Sequence, residues 1–330
     1  MEEYDKRNTI DKANSSIQLI EKESALMNVY KHAFIETPFA RRFQGFIKEV
    51  RCERKWAIVG AYSRNGKTWC IKDLVENSGA VKEYNGNTRI PIIAVRSPEA
   101  STPNDLISAI CRCFGFVPLS NSSAQKKWLI STIPKLGVEQ IIIDDAHELN
   151  LNHLKFIKWL MDSLELEMNY YVSVVFSSIV SANSISIWNK IQQYRHEDWM
   201  QQLYERFALC CEIPGNTCNE VAEILYGYEE LYRPFVPDIS LVKYTDNIYG
   251  WLICPELDIH NCRRVAMEHL AKLIFEAVKV AYIEYSLRDI PLDLLLYVYK
   301  VCFLNKDKVL SIEEKPKYKP RILPNQENAI

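Results

Sequence analysis

Residues 55–68, Lys-Trp-Ala-Ile-Val-Gly-Ala-Tyr-Ser-Arg-Asn-Gly-Lys-Thr, restrict what this chain can fold into more than any other stretch. A short apolar run, Trp56 to Val59, enters a polar loop that ends in Gly66-Lys67-Thr68 and continues as a predicted helix. Strand, loop and helix in that order are what a phosphate-binding loop requires. Successive backbone N–H groups and the helix N-terminus then point at an anion, a lysine adds positive charge, and a hydroxyl can ligate Mg²⁺. Lys67 and Thr68 stand at the last two positions. The spacing departs from the usual one at a single place: position 61, where glycine is expected, holds Ala61, and Gly60 comes one residue early.

The complementary signal lies at residues 139–145, Glu-Gln-Ile-Ile-Ile-Asp-Asp, which read as a buried strand of β-branched residues ending in two carboxylates. In a P-loop ATPase the first carboxylate, here Asp144, holds Mg²⁺ through water, and the next residue polarises the attacking water. Both features end predicted strands and come in the right order. Together they predict an ATP and Mg²⁺ site.

Composition narrows the setting. A 48% hydrophobic chain of 330 residues can bury a substantial core. Its net charge of −2 gives no bulk attraction to nucleic acid, so any DNA contact needs a local basic patch. Cys254, His260 and Cys262 could in principle gather a zinc, but the paired C-x-x-C signature is missing. Residues 1–15 show no signal peptide, and Ile290–Leu304 is too short and too interrupted to span a bilayer. A soluble, cytoplasmic protein with reduced thiols and no membrane partner is expected.

The pattern along the chain sets the architecture. Residues 1–50 read as an N-terminal helical segment that ends in a basic-aromatic helix, Phe39–Val50. Helices are expected near Gly66–Glu76, Thr102–Phe114, Ala124–Lys135 and Leu151–Glu165, and strands at Arg89–Val95 and Tyr171–Ser178, the last ending in two serines. The right-handed crossover rule then makes the sheet parallel, with an added strand between the two motif strands. After Ile213-Pro214 only helices follow: Asn216–Tyr228, Pro237–Tyr244, Ile259–Glu284 and Pro291–Phe303. The fold class is therefore α/β: an AAA+ P-loop core over 51–214, helices on both faces, then a helical lid over 215–304. Residues 305–330, rich in proline and lysine, read as a flexible tail.

On these residues the chain resembles the TnsC/TniB family of AAA+ transposition regulators, relatives of the phage target-selection ATPase MuB. The likeness rests on Val-Gly-Ala-Tyr-Ser-Arg-Asn-Gly-Lys-Thr, on Ile-Ile-Ile-Asp-Asp-Ala-His-Glu-Leu, and on Gln-Leu-Tyr-Glu-Arg-Phe at 202–207. It implies ATP-driven self-assembly into filaments or rings around double-stranded DNA. It also implies a link between a target selector, sometimes a CRISPR effector, and transposase subunits.

The resemblance also assigns residues. Gly60, Ser63, Arg64, Asn65, Gly66, Lys67, Thr68 and Trp69 form the nucleotide loop, and Thr68 and Asp144 hold Mg²⁺. Asp145 falls where most relatives carry the catalytic glutamate. It is one methylene shorter, which places its carboxylate about 1.5 Å further from a water set for glutamate. Slow hydrolysis is expected, because errors on the order of 1 Å cost about 10²-fold. Ser178 is the polar sensor candidate, Arg206 the arginine that reaches a neighbouring subunit's nucleotide, and Arg263 or Arg264 the lid sensor.

DNA contact in relatives comes from two loops, here Arg96–Asn104 and Leu119–Lys127, with Ser101, Thr102, Ser120, Ser122 and Lys126 as the candidates. The cluster Arg41, Arg42, Lys48, Arg51, Arg54 and Lys55 is the other candidate patch. Two further readings share the core. One is a helicase-loader or initiator ATPase, although the stretch after Phe303 is too short for the winged helix an initiator usually adds. The other is a nucleotide-gated scaffold that does not hydrolyse, motivated by Ala61 and Asp145.

Overall fold

Every residue of β1, Trp56–Ala61, is buried. A strand covered on both faces reads as an unbroken apolar run, and β5 (Gln140–Asp144) and most of β6 (Ser173–Ser181) are covered in the same way. With β4 (Ile92–Arg96) and β8 (Phe207–Glu212) they form a parallel sheet in the order β4-β5-β6-β1-β8, to which the short β7 (Ser184–Ile185) adds antiparallel on β6, while β2 (Val81–Lys82) and β3 (Thr88–Arg89) pair separately. The computed structural model describes residues 19–82, 88–99, 102–115, 121–181, 184–304 and 316–318. The strand that separates the two motif strands is β6, which follows the acidic strand in sequence. β4, which precedes it, lies at the sheet edge beyond β5. β8 has no counterpart among the expected strands; Phe-Ala-Leu-Cys-Cys-Glu lacks the β-branched residues that mark the others.

Side chains alternate between the faces of a strand. Ile58, Ile93, Val95, Ile141, Ile143, Val174 and Phe176 pack into one core with α4 (Pro103–Cys113), α5 (Ser122–Lys135), α6 (Leu151–Met168), α7 (Ser186–Gln193) and α8 (Asp198–Arg206). The opposite face carries α2 (Pro38–Cys52) and α3 (Lys67–Glu76). This is the AAA+ P-loop fold, with helices on both sides of the sheet.

The chain falls into two units, Pro38–Gly215 and the combination of Met1–Thr37 with Asn216–Ile330. The N-terminal segment is thus divided at Thr37. α2 joins the sheet because Phe39, Phe43, Ile47 and Val50 recur on one helical face and are fully buried. Gln44 reinforces the seam by donating to Cys70 O at 3.0 Å and to Asp73 at 2.8 Å. The helix before it, α1 (residues 19–32), packs with the second unit. There Leu26 is buried and Tyr30 stacks on Phe275 with ring centres 4.1 Å apart.

The second unit is helical: α9 (Cys218–Tyr232), α10 (Thr245–Leu252), α11 (Met267–Lys279) and α12 (Leu292–Tyr299). Two of its expected helices are shorter than the sequence implied. Over 237–244 only a single turn, Val242–Tyr244, is helical, because the Glu229 carboxylate accepts the backbone N–H groups of Leu241 and Val242. α11 begins at Met267 rather than near Ile259. Asp258 accepts from the N–H groups of Cys262 and Arg263, and Asn261 and Arg263 sit in the left-handed region at φ 49° and 53°. The tail contributes two hydrogen bonds among the described residues: Tyr285 OH donates to Pro316 O at 2.8 Å and Tyr318 OH to Asp293 at 2.5 Å. Among the described residues no helix is long and apolar enough to cross a membrane, and no group of three or more His, Cys, Asp or Glu could hold a metal ion. The Cys262 thiol instead donates to Asp258 at 3.1 Å.

Candidate nucleotide site

Between β1 and α3 the backbone enters the left-handed region twice, at Arg64 (φ 67°) and Gly66 (φ 89°). At Arg64, which has a Cβ, this costs about 1–2 kcal/mol. Such strain persists only where the surroundings dictate the loop's shape. α3 then starts at Lys67 behind an N-cap glycine with no side chain to cap it. The first N–H groups of a helix have no partner within it, so these remain available to an anion.

Lys67 is buried, and its Nζ donates to the carbonyls of Ala61 at 3.2 Å and Tyr62 at 3.3 Å. Burial pushes its pKa down, and the carboxylates of Asp144 and Asp145 pull it partly back. The Ala61 position that breaks the motif spacing therefore supplies a carbonyl to this lysine. The early Gly60 has a separate reason. A Cβ there would lie 2.5 Å from Ile185 Cγ1, so glycine is required for packing on the other face of β1.

Asp144 ends β5 with both oxygens engaged. Thr68 Oγ1 donates to Oδ2 at 2.6 Å and Ser177 Oγ donates to Oδ1 at 2.9 Å. A carboxylate and a hydroxyl held this close form an all-oxygen donor set of the kind Mg²⁺ takes with nucleotide phosphates, so the residues fit the expected ion. Ser177, which the strand pattern alone does not single out, is the serine of β6 that lies beside Asp144. Ser178 points to the opposite face, where its Oγ lies 3.4 Å from the N–H of Ile187. The strand period is two, so one step of register exchanges the faces.

Asp145 follows in the left-handed region at φ 51°, and its carboxylate meets Arg96 Nε at 3.0 Å. The turn after it, Ala146–Glu148, is clamped from α7. Lys190 Nζ donates to the carbonyls of His147 at 2.6 Å and Leu149 at 2.7 Å. Burial lowers the Lys190 pKa, opposed by Glu148. Neither Arg96 nor Lys190 was singled out as part of the site from sequence, because each reaches it across the fold.

The remaining candidates scatter. Ser63 and Arg64 are exposed and Asn65 is buried within the loop. Trp69 is about half exposed on α3, with Lys72 Nζ 5.1 Å from its ring centre. Arg206 lies at the other end of the sheet, over the Trp56 ring at 5.4 Å, paired with Asp162 and, at 3.8 Å, with Glu165. Along β1 that is about 16 Å from Ala61, so Arg206 does not reach its own loop.

Arg263 and Arg264 belong to the helical unit, in the bend before α11. Arg264 lies 4.0 Å from Glu220. Thr102 is the N-cap of α4, and its hydroxyl is turned onto Asp105. Ser122 opens α5, and Lys126 Nζ lies 4.9 Å from the Trp159 ring centre. Ser101 and Ser120 lie outside the described residues.

Residues 53–178 match the AAA domain family. No curated protein matches the chain in sequence. Among solved structures it is similar to the Aeropyrum pernix ORC2 protein in its ADPNP–ADP complexes, with TM-score 0.60 and 12% identity over 87% of this chain and 73% of that one. Cdc6p from Pyrobaculum aerophilum gives TM-score 0.58 and 11% identity over 81% and 68%. The Aeropyrum pernix ORC1 protein in complex with DNA gives 0.55 and 12% over 81% and 65%. At these identities the likeness is one of fold.

Proposed function

We propose that this chain is an ATP-switched AAA+ ATPase that assembles on double-stranded DNA and serves as a regulator of transposition. The carrying observation is the join of Lys67, Thr68, Asp144 and Ser177 at the C-terminal ends of β1, β5 and β6. Mg²⁺, when bound with ATP, supplies charge neutralisation at the phosphate oxygens. Thr68 and Asp144 are the residues that would hold it. Lys67 and the uncapped amides of α3 bind the phosphates, and Ser177 keeps the Asp144 carboxylate oriented. In this reading Asp145 accepts a proton from water after leaving its pairing with Arg96.

The transposition role rests on the resemblance carried by Ser-Arg-x-Gly-Lys-Thr and Leu-x-Glu-Arg-Phe. Under it, Arg206 reaches a neighbouring subunit's nucleotide, the helical unit acts as the lid with Arg263 or Arg264 as its sensor, and the partners are a target selector and transposase subunits. A second reading, an initiator or helicase-loader ATPase, is favoured by the fold shared with ORC and Cdc6 proteins. Electron microscopy of the protein with duplex DNA, with and without ATP, combined with a turnover assay, tests the proposal. ATP-dependent helical or ring assemblies on DNA of unrelated sequences support it. Nucleotide-independent binding to one short sequence would overturn it.

A further inference from the structure

The basic cluster seen in the sequence is not one patch. α2 has fifteen residues, about 22 Å of helix, and its ends lie at opposite ends of the sheet. Arg42 Nη2 donates to Pro214 O at 3.3 Å, just past β8, whereas Arg51 Nε lies 3.8 Å from Glu139 at the start of β5. There the tertiary structure gathers a different set. Arg89 Nη2 donates to Glu139 Oε1 at 2.6 Å and Arg54 Nη2 lies 3.3 Å from the same oxygen. Lys55, next in sequence, is matched by Glu53 at 2.6 Å. Three guanidinium groups therefore surround one carboxylate, leaving two positive charges uncompensated within the cluster. Each guanidinium carries about five N–H donors, against about four lone-pair sites on the carboxylate. Most of the donors are not used by Glu139.

The cluster sits on fixed backbone. Glu139 N donates to Pro91 O at 2.8 Å, and Glu139 O accepts from Ser173 N at 2.9 Å. Arg54 is held in the left-handed region at φ 52°. Arg89 lies along Gly137, where an added Cβ would sit 3.4 Å from Arg89 Cγ. The three arginines remain between one-quarter and one-half exposed.

We propose that Arg51, Arg54 and Arg89, held around Glu139 at the strand-start end of the core sheet, form a phosphate site that grips the backbone of duplex DNA. The inference rests on the DNA-binding reading above and gives it a location. Guanidinium forks suit phosphate and carboxylate alike. DNA is favoured because a chain of net charge −2 needs a local cationic patch to meet it. In addition, two of the residues expected to touch DNA are engaged elsewhere, Thr102 on Asp105 and Lys126 over Trp159.

The test is the affinity of the ATP-loaded full chain for fluorescein-labelled duplex DNA, measured by anisotropy across a salt series. Arg54→Gln/Arg89→Gln should weaken binding on the order of tenfold or more and make the log–log salt slope shallower by about 2. Arg54→Lys/Arg89→Lys should keep most of the slope. Glu139→Gln, which frees the arginines, should tighten binding, an effect that a purely structural network would not produce. Fluorescent-ATP affinity should be the same in all variants. Unchanged DNA affinity and slope in the glutamine pair, with ATP binding and assembly intact, overturns this site and leaves the ATPase reading standing. Absence of duplex binding by the parent overturns both the site and the DNA reading. Inorganic phosphate is the second probe: ³¹P line broadening that the glutamine pair abolishes, without any change in DNA binding, makes this a small-anion site and also overturns the assignment to DNA.

Discussion

The two ends of the core sheet carry opposite chemistry. At the strand ends, Asp144 and Asp145 stand with one buried lysine, two hydroxyls, an uncapped helix start and Arg96, which pairs with Asp145. At the strand starts, Arg51, Arg54, Arg89 and Arg206 outnumber the carboxylates they touch, Glu139, Asp162 and Glu165. A parallel sheet permits this separation because all its strands begin at one end and finish at the other, about 16 Å away. The nucleotide loop and the arginines around Glu139 can therefore be altered separately in this unit.

The largest effect is expected at Lys67. Lys67→Ala removes the charge partner of the triphosphate and should lower ATP affinity by more than about hundredfold, read by fluorescent-nucleotide titration. An affinity equal to the parent's would remove the strand-end site altogether. Next comes Asp145→Asn, which should cut turnover by about 10²–10⁴-fold while ATP still binds and DNA assemblies persist. Asp145→Glu should leave turnover equal or higher; a large loss would mean the pocket is shaped around the shorter acid.

Arg206→Ala probes the other end. Asp162 keeps Lys158 as a partner at 2.7 Å, so the fold should hold and monomer ATP affinity should change less than about twofold. ATP-dependent assembly, followed by light scattering, should fall by about tenfold or more. Assembly at parental levels would deny Arg206 a role between subunits. Lys190→Met should sharpen the picture of Asp145 by loosening the turn behind it. A fall in kcat of about tenfold with unchanged KM is expected, restored in part by Lys190→Arg. A matched fall in thermal stability without that split would make Lys190 structural only.

The smallest effect concerns stability. Lys67 titrates lower in the folded protein than its ordinary value of 10.5. Between its lowered pKa and that value the unfolded chain binds more protons, so nucleotide-free stability should rise with pH across that window. Lys67→Met should flatten the rise and stabilise the nucleotide-free protein by about 1 kcal/mol at neutral pH, seen in denaturant midpoints. A destabilised Lys67→Met would mean the two carbonyl contacts outweigh the burial cost.

The parallel P-loop core was legible in the residues themselves. Isoleucine runs ending in carboxylates, a glycine-lysine-threonine helix start and Thr102-Pro103 each fix a local structure through short-range sterics and hydrogen bonding, and they fell within a few residues of the observed elements. The helical character of residues after 216 was legible for the same reason. Which side chains meet was set by long-range packing. Strand register turned Ser177 rather than Ser178 toward Asp144, since a one-residue step reverses a strand's faces. Long-range packing set Lys190 behind Asp145 from more than forty positions downstream and drew Arg89 to Glu139 across fifty. It also divided residues 1–50 between two units, because Phe39, Phe43 and Ile47 bury against the sheet while Leu26 buries among the helices. Local propensity is written in neighbouring residues, whereas which buried group meets which depends on how the whole chain closes its cores.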